Sequence, residues 1–251
     1  MGRVTLWRAR ALRALEPIWG TPLIPSKESA MPTRVQILKT EMVTHNVRHY
    51  RVEKPKNFHF GPGQATEVSI DKPDWGDQKR PFTFTSLQDE PTLEFTIKSY
   101  RDHAGVTNAL WGCEAGDYLL LRDVWGTIQY KGPGTFIAGG AGVTPFIAIL
   151  RHLNAKGGMK GNRLIVSNRE EKDIILRDEF EAMEGLETLW TVTNDPKSKL
   201  LQERIDVDFL REHIGDFGQN FYLCGPDAMV KDLRDALEEL GADVSSVTWE
   251  K

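Results

Sequence analysis

The sequence is poor in cysteine and has no long hydrophobic run. Cys113 and Cys224 are the only cysteines in 251 residues. Two thiols cannot supply the four ligands of a ferredoxin-type iron-sulfur cluster or a zinc ribbon, nor build a disulfide scaffold. Redox chemistry here would need a bound organic cofactor. The longest apolar stretch, Phe136 to Leu150, is broken by Gly139, Gly140, Gly142 and Pro145, so nothing approaches the ~20 residues of a membrane helix. A formal net charge of −4 lacks the excess of Lys and Arg that phosphate backbones attract, and nucleic acid is not the expected partner. There is no GxSxG elbow and no Ser/His/Asp order, which removes support for hydrolase chemistry. His45 and His49 share a face of an expected strand, but at ~3.3 Å per residue they stand about 13 Å apart, too far for one metal, and no metal site is expected.

What is present is ordinary globular composition, 40% hydrophobic and 27% charged, in a length suited to one large or two ordinary domains. Residues 1–33 differ from the rest. Arg3, Arg8, Arg10, Arg13 and Lys27 outnumber Glu16 and Glu28, so the segment carries +3 and leaves −7 for the remainder. A basic, acid-poor start of modest amphipathicity is the composition of an organellar transit peptide, and it is equally that of an overrun or disordered arm ahead of Met31. The expected location is the cytoplasm, or an organelle if that segment directs import.

From Arg34 onward the pattern is of short strands at 35–38, 47–52, 65–70, 82–86, 93–100 and 118–121, separated by turns such as Phe60-Gly61-Pro62-Gly63. That spacing predicts an antiparallel barrel or sandwich, with a short helix after Gly105. Lys131-Gly132-Pro133-Gly134 marks a junction. Beyond it strand and helix alternate: strands at 135–138, 163–167, 186–193, 221–224 and 244–249, helices at 145–153, 178–183, 207–213 and 228–240. Alternation of this kind predicts a parallel sheet with helices on both faces, binding ligands at the carboxyl ends of its strands.

Those strand ends carry the informative residues. Gly139-Gly140-Ala141-Gly142-Val143-Thr144-Pro145 follows a strand and opens a helix. Its glycines let a phosphate approach the backbone, Thr144 can cap, and Pro145 suits a first helical turn. Free amides and the helix dipole would then face a pyrophosphate. The spacing is neither GxGxxG nor a P-loop, and alone it reads equally as a capped glycine turn. Arg80-Pro81-Phe82-Thr83-Phe84-Thr85-Ser86 alone reads equally as a barrel strand with outward threonines, and Cys224 alone as an inert buried thiol.

Together these segments resemble the ferredoxin-NADP reductase family. The Arg80–Ser86 run is similar to its RxYSxxS flavin segment, GGAGVTP to its pyridine-nucleotide loop, and Cys224-Gly225-Pro226 to its CGP signature. The Pro62-Gly63-Gln64 turn also fits, and Asn168 to Arg177 resembles cytochrome b5 reductase. The resemblance covers residues 34–251 and implies two domains, an antiparallel β-barrel that binds FAD (34–132) and an α/β parallel-sheet NAD(P) domain (133–251). It implies an FAD-dependent oxidoreductase that takes hydride from NAD(P)H to flavin N5. Electrons would then pass to an acceptor protein such as flavodoxin, ferredoxin or a cytochrome, or to a small molecule. A non-catalytic electron-transfer subunit of a larger complex is the alternative.

By the same resemblance Arg80 and Pro81 would meet the FAD pyrophosphate, Phe82 would lie against the flavin, and Thr83 would hydrogen-bond N5. Ile97, Lys98 and Tyr100 would hold the ribityl and adenine side, and Gly105, Val106 and Thr107 would give amides to the pyrophosphate. Gly140, Gly142, Thr144 and Pro145 would cradle the nicotinamide dinucleotide, with Asn168, Arg169 and Asp173 beyond them. Cys224, Gly225, Pro226 and Met229 would surround the nicotinamide. Thr83 and Cys224 are the implied catalytic pair. The chain departs from the family in having Phe82 where Tyr is usual. Family members often end in an aromatic that covers the flavin, whereas here the sequence stops at Trp249-Glu250-Lys251, so either that residue is missing or Trp249 substitutes. For the coenzyme, Ser167 and Arg169 suit a 2′-phosphate, but Glu170 and Glu171 adjoin them. Pairing of Arg169 with a neighbouring glutamate, worth ~0–1 kcal/mol, is the plainer reading and gives a lean to NADH over NADPH.

Overall fold

The computed structural model describes residues 31–249 apart from His103 and Thr127. Residues 1–30 of the expected targeting segment and Glu250-Lys251 lie outside the described residues, while Thr33, expected in that segment, already belongs to the first strand. Six strands, β1 (Thr33–Thr44), β2 (Val47–Glu53), β3 (Ala65–Ile70), β4 (Arg80–Thr83), β5 (Thr92–Lys98) and β6 (Tyr118–Trp125), form an antiparallel sheet in the order β4-β3-β6-β1-β2-β5. Its outermost strands meet just past β4, where Thr85 N–H donates to the Glu94 carbonyl at 2.8 Å. The sheet thereby closes into a barrel. Phe60, Phe84 and Phe95 fill it, with ring centroids 4.4 and 5.1 Å apart in sequence, among buried aliphatics from all the longer strands.

Several strand ends need correction: β5 stops at Lys98 rather than at 100, and β6 runs on to Trp125 rather than stopping at 121. β1 does not stop at Leu38 but runs to Thr44, because it changes partner: residues 33–36 pair with β6, while 37–44 pair with β2. The second half, Lys39-Thr40-Glu41-Met42, has no apolar alternation because neither of its faces is buried there. The regular ladder of β4 ends at Thr83 rather than Ser86, since Thr85 leaves β3 to bond β5.

α1 (Val106–Trp111) is too short to hold itself together and is fastened at its carboxyl end. Tyr50 Oη donates to the Leu110 carbonyl at 2.9 Å, and Arg48 Nη1 donates to the Trp111 and Cys113 carbonyls at 2.6 and 3.3 Å. These are the orphan acceptors that every helix end leaves. Arg48 Nη2 also reaches Thr40 and Glu114. Burial pushes the Tyr50 phenol well above its ordinary value.

The second sheet is parallel. β7 (Gly134–Gly139), β8 (Arg163–Asn168), β9 (Glu187–Val192), β10 (Asn220–Cys224) and β11 (Val247–Trp249) lie in the order β11-β10-β7-β8-β9. Every residue of β7 is buried, as expected of a strand covered on both faces. Phe136 faces one helical layer, α2 (Thr144–Ala155) and α3 (Arg177–Glu181). Its neighbour Ile137 faces the other, α4 (Val207–His213) and α5 (Asp227–Glu239). Val244–Ser246 is a 3-10 turn, so the last strand begins at Val247 rather than at 244. The outer edge of β9 is met by a following segment, with Val192 N–H donating to the Leu201 carbonyl at 2.8 Å and Thr191 Oγ1 donating to the Glu203 carbonyl. No helix among the described residues is long and apolar enough to cross a membrane.

The α1 fastening gives a stability prediction. Arg48→Met should lower stability by about 1–3 kcal/mol, because it leaves the Trp111 and Cys113 carbonyls without their donor. The exposed pair of Arg211 and Asp208 serves as the comparison, since Arg211→Met should cost no more than ~0.5 kcal/mol. Urea titration of both variants decides it, and equal midpoints would remove the role given to Arg48.

Candidate functional site

Strand order reverses direction at β7, which lies between β10 and β8, so the connections leave to opposite sides and open a crevice at the carboxyl edge. Ala138 pairs with Cys224 and Gly139 with Ser167, which sets the two loops of interest side by side. A Cβ on Gly142 would fall 2.3 Å from the Cys224 carbonyl oxygen, and one on Gly139 would fall 2.5 Å from Met229 Sδ. These two glycines are therefore required by the approach of the Cys224-Gly225-Pro226 loop and α5, not only by a ligand. Gly140 is the open one. It takes φ +54°, and its nearest neighbour would be Asn168 Oδ1 at 3.9 Å. Thr144 does not cap α2, because its Oγ1 donates back to the Ala141 carbonyl at 2.9 Å. Pro145 sits in the first turn as expected; no side chain caps that turn, which continues from a 3-10 turn over Gly140–Val143, with Thr144 N–H donating to the Ala141 carbonyl.

Asn168 is buried, and its Nδ2 has no partner among the described residues. A buried amide donor with nothing to bond is costly unless a ligand completes it. Arg169 departs from expectation. Glu170 is held by Lys172 at 2.5 Å and Glu171 by Arg177 at 2.8 Å, so Arg169 makes no ion pair among the described residues and stays exposed. Asp173 accepts from Glu170 N–H at 3.2 Å and faces His45 Nε2 at 3.6 Å, which is a turn-closing place rather than an open one. The sequence reading missed the loop after β9. Thr193 and Asn194 donate to the carbonyls of Asn168 and Arg169, and Asp195 Oδ2 accepts from Glu171 N–H. Only the parallel pairing of β8 with β9 brings these residues to the edge.

On the barrel, Arg80 is exposed, and its one hydrogen bond goes to the Lys79 carbonyl at 3.1 Å, with no carboxylate partner among the described residues. Pro81, Phe82 and Thr83 follow it along β4, opposite Glu67, Thr66 and Ala65. Phe82 is half-buried against the barrel core. Thr83 and Thr85 are 7% and 0% exposed, so they do not point outward. At the end of β5, Ile97 is buried, Lys98 Nζ stands 5.8 Å from the Tyr100 ring, and Tyr100 is half-exposed. Ser99 Oγ is buried without a partner among the described residues. Gly105 is extended with open space beside it, and the Val106 and Thr107 turn that follows has no side-chain cap. An unpaired guanidinium, uncapped amides and a buried free hydroxyl are a donor set that fits a dinucleotide pyrophosphate and ribityl chain.

Trp249 ends β11 beside Leu223, one residue before Cys224. Arg234 of α5 sits 3.8 Å from its ring centroid, and the ring packs with the Ile137 layer.

Residues 32–112 match a family model described as "FAD-binding domain", and residues 136–235 match one described as "Oxidoreductase NAD-binding domain". The chain belongs to the ferredoxin-NADP reductase family. Among curated relatives of this reductase, the reductase component of propane 2-monooxygenase from Rhodococcus jostii is 26% identical over 87% of the chain, and the chain spans 63% of that relative's length. Bovine NADH-cytochrome b5 reductase 1 is also 26% identical, over 83% of the chain and 82% of its own length. Among solved structures, a ferredoxin NADP+ reductase from Neisseria gonorrhoeae with bound FAD and NADP superposes with a TM-score of 0.77 at 20% identity, over 88% of the reductase and 98% of that chain. The cytochrome b5 reductase domain of Ulva prolifera nitrate reductase gives 0.76 at 20% identity, over 92% and 100%. Both likenesses speak for the fold.

The two domains of the reductase are joined through α2. A Cβ on Gly63, in the Pro62-Gly63-Gln64 turn, would fall 2.5 Å from the Ile128 carbonyl and 3.0 Å from Ile149 Cδ1, and φ there is +84°. Beside this contact, Arg151 forks onto Glu179 at 2.6 and 2.8 Å and donates to the Thr85 carbonyl at 2.8 Å. Its Nη1 stands 3.5 Å from Glu94 Oε2, and Glu94 also meets Arg51 at 3.0 Å and His49 at 3.2 Å. None of this was read from the sequence. The signals were a lone arginine in Phe146–Leu153, and a glutamate at a buried position of β5.

Burial alone would raise the Glu94 carboxyl, but His49, Arg51 and Arg151 hold it down at about 2. A carboxylate lowered from 4.5 contributes its stability fully above pH 4.5 and loses it as pH falls toward 2. The amount is up to about 3 kcal/mol. Urea midpoints of Glu94→Gln should therefore fall less between pH 5 and about 2.5 than those of the wild type. Parallel pH profiles would show that this carboxylate is not linked to folding.

Proposed function

We propose that the reductase takes a hydride from NADH onto bound FAD and hands the electrons to a separate one-electron carrier protein, such as a ferredoxin, flavodoxin or cytochrome. The carrying observation is the joint itself: one helix, α2, has its uncapped first turn at the nucleotide crevice and its Ile149 and Arg151 on the barrel beside Thr83–Thr85. A protein that only bound a dinucleotide would not need the two sites tied together. When bound, FAD supplies the two-electron to one-electron conversion that links a hydride donor to such a carrier.

The chain's own residues supply binding and alignment. Arg80, with Pro81, holds the pyrophosphate, assisted by the Gly105, Val106 and Thr107 amides. Phe82 covers the flavin, and the Thr83 hydroxyl bonds its N5. Ile97, Lys98 and Tyr100 bound the ribityl and adenine side. Gly140 and the Gly142–Pro145 turn receive the nicotinamide dinucleotide, with Asn168 and Arg169 at its ribose end, and Cys224, Gly225, Pro226 and Met229 keep the nicotinamide ring in place. Asp173 acts at one remove, closing the turn behind Asn168.

The preference for NADH rests on charge. Glu170, Glu171 and Asp195 stand in the loop beside Arg169, the first two paired with Lys172 and Arg177, and acidic groups there favour free ribose hydroxyls over a 2′-phosphate. The working compartment is the cytoplasm, or an organelle if residues 1–33 are an import signal.

Anaerobic titration tests the proposal. The purified protein should be yellow and should bleach with NADH, whereas a protein that neither coenzyme bleaches is not this enzyme. Initial rates with both coenzymes test the preference, and an advantage for NADPH of more than about tenfold, or ~1.4 kcal/mol, reverses it. For the FAD site, Arg80→Ala should weaken flavin binding about tenfold or more, since charge-assisted hydrogen bonds contribute ~1.5–3 kcal/mol. Full flavin retention by that variant through gel filtration would remove Arg80 from the site.

A further inference from the structure

Arg151 stands about two turns beyond the amino end of α2, in a helix whose inner face is otherwise apolar. Its guanidinium spends all three nitrogens on two domains: Nε and Nη2 on Glu179 of α3, and Nη1 on the Thr85 carbonyl of the barrel. Thr85 is held on its other side as well, since its N–H donates to the Glu94 carbonyl. Glu94 N–H in turn donates to Ser86 Oγ at 3.0 Å. The two residues after Phe84 are thus fixed by hydrogen bonds, one of which comes from a side chain of the helix that carries the nucleotide turn. Apolar packing between the domains is already supplied by Ile149 on the Gly63 turn. A planar fork with a third donor is not needed for packing, but it is what fixes direction and distance between two bodies.

We infer that Arg151 is a positioning residue for hydride transfer: through the Thr85 carbonyl it sets the place of Thr83 relative to the amino end of α2, and so the separation of the flavin and nicotinamide rings. The inference rests on the proposed reductase function. Burial disfavours the Arg151 cation, yet the Glu179 and Glu94 carboxylates more than offset this and raise its pKa, so the bridge stays charged throughout the working range. Transfer between two bound rings is far more sensitive to small misplacement than the binding of either ring. Loss of Arg151 should therefore appear in the chemical step and spare both affinities.

The test uses the full-length, FAD-loaded protein and the variants Arg151→Ala and Arg151→Lys. FAD content, the limiting anaerobic rate of flavin reduction, the half-saturating NADH concentration, and the isotope effect with NADH deuterated at the transferred C4 position are measured for each. The expected result is wild-type FAD content, half-saturation within about twofold, a limiting rate lower by about tenfold or more, and a larger isotope effect. Lys should not rescue the rate, because it cannot make the fork and the carbonyl bond together. A folded, FAD-loaded variant with the wild-type limiting rate and isotope effect overturns the inference. So does a defect confined to half-saturation or FAD content, and so does failure of both variants to retain FAD, which would make the role purely structural. If the wild type itself is not reduced by either coenzyme, the functional proposal fails, whereas normal wild-type reduction leaves the variants to judge Arg151 alone.

Discussion

No side chain fits where the Gly142 turn crosses the Cys224 carbonyl, and much of the molecule is arranged around that close approach. Because the two loops touch backbone to backbone, α2 leaves the sheet in one direction only, with its first turn at the crevice. That direction decides what the rest of the helix meets. One face closes over Phe136 and Tyr222, and the far turns carry Ile149 to the Gly63 turn and Arg151 to Thr85. The nucleotide domain is thereby aimed at the barrel by the helix that also opens its binding turn. A methyl group at position 142 would push α2 away from β10, and the displacement would be carried to the interface some ten residues along.

How much of this was legible depends on how far away the cause lies. Elements whose reason is local were readable: the period-2 runs of β2 and β5, the buried block of β7, the amphipathic α5, and the Pro145 helix start. The three family segments were readable because each keeps its own short motif. What failed was set by distant partners. Lys39–Thr44 is strand only because β2 lies beside it, and Thr85 is buried only because β5 closes the barrel there. Arg169 was expected to pair with its neighbours, but a three-residue turn and the arrival of Arg177 had already engaged both glutamates. Trp249 was placed in the last strand, but what its ring meets was not readable, since Arg234, which lies against it, is brought there by the sheet order. The interdomain node of Glu94, Arg151 and Glu179 draws on three elements far apart in the chain.

The barrel also buries two charged side chains, Arg48 on the core face with Tyr50 and Val52, and Glu94 on the face opposite Leu93 and Phe95, with side chains 11% and 9% exposed. Each is surrounded by several partners rather than one, as a buried charge must be. Arg48 takes up carbonyls at the end of α1, while Glu94 gathers cations at the domain joint. Apolar residues could fill the same volume, but they would not specify which loop sits against which strand. These positions favour a defined arrangement over the greatest stability.

The segment that crosses β9 also bears on crowding. A parallel sheet ends in a row of backbone donors and acceptors that a strand from another molecule could extend. Here the end of that row is spoken for: Leu201 occupies the Val192 amide, and the Thr191 hydroxyl turns to the same segment. With this stretch of β9 occupied from within the chain, encounters through it are left to side chains, which can release a partner as readily as they receive it.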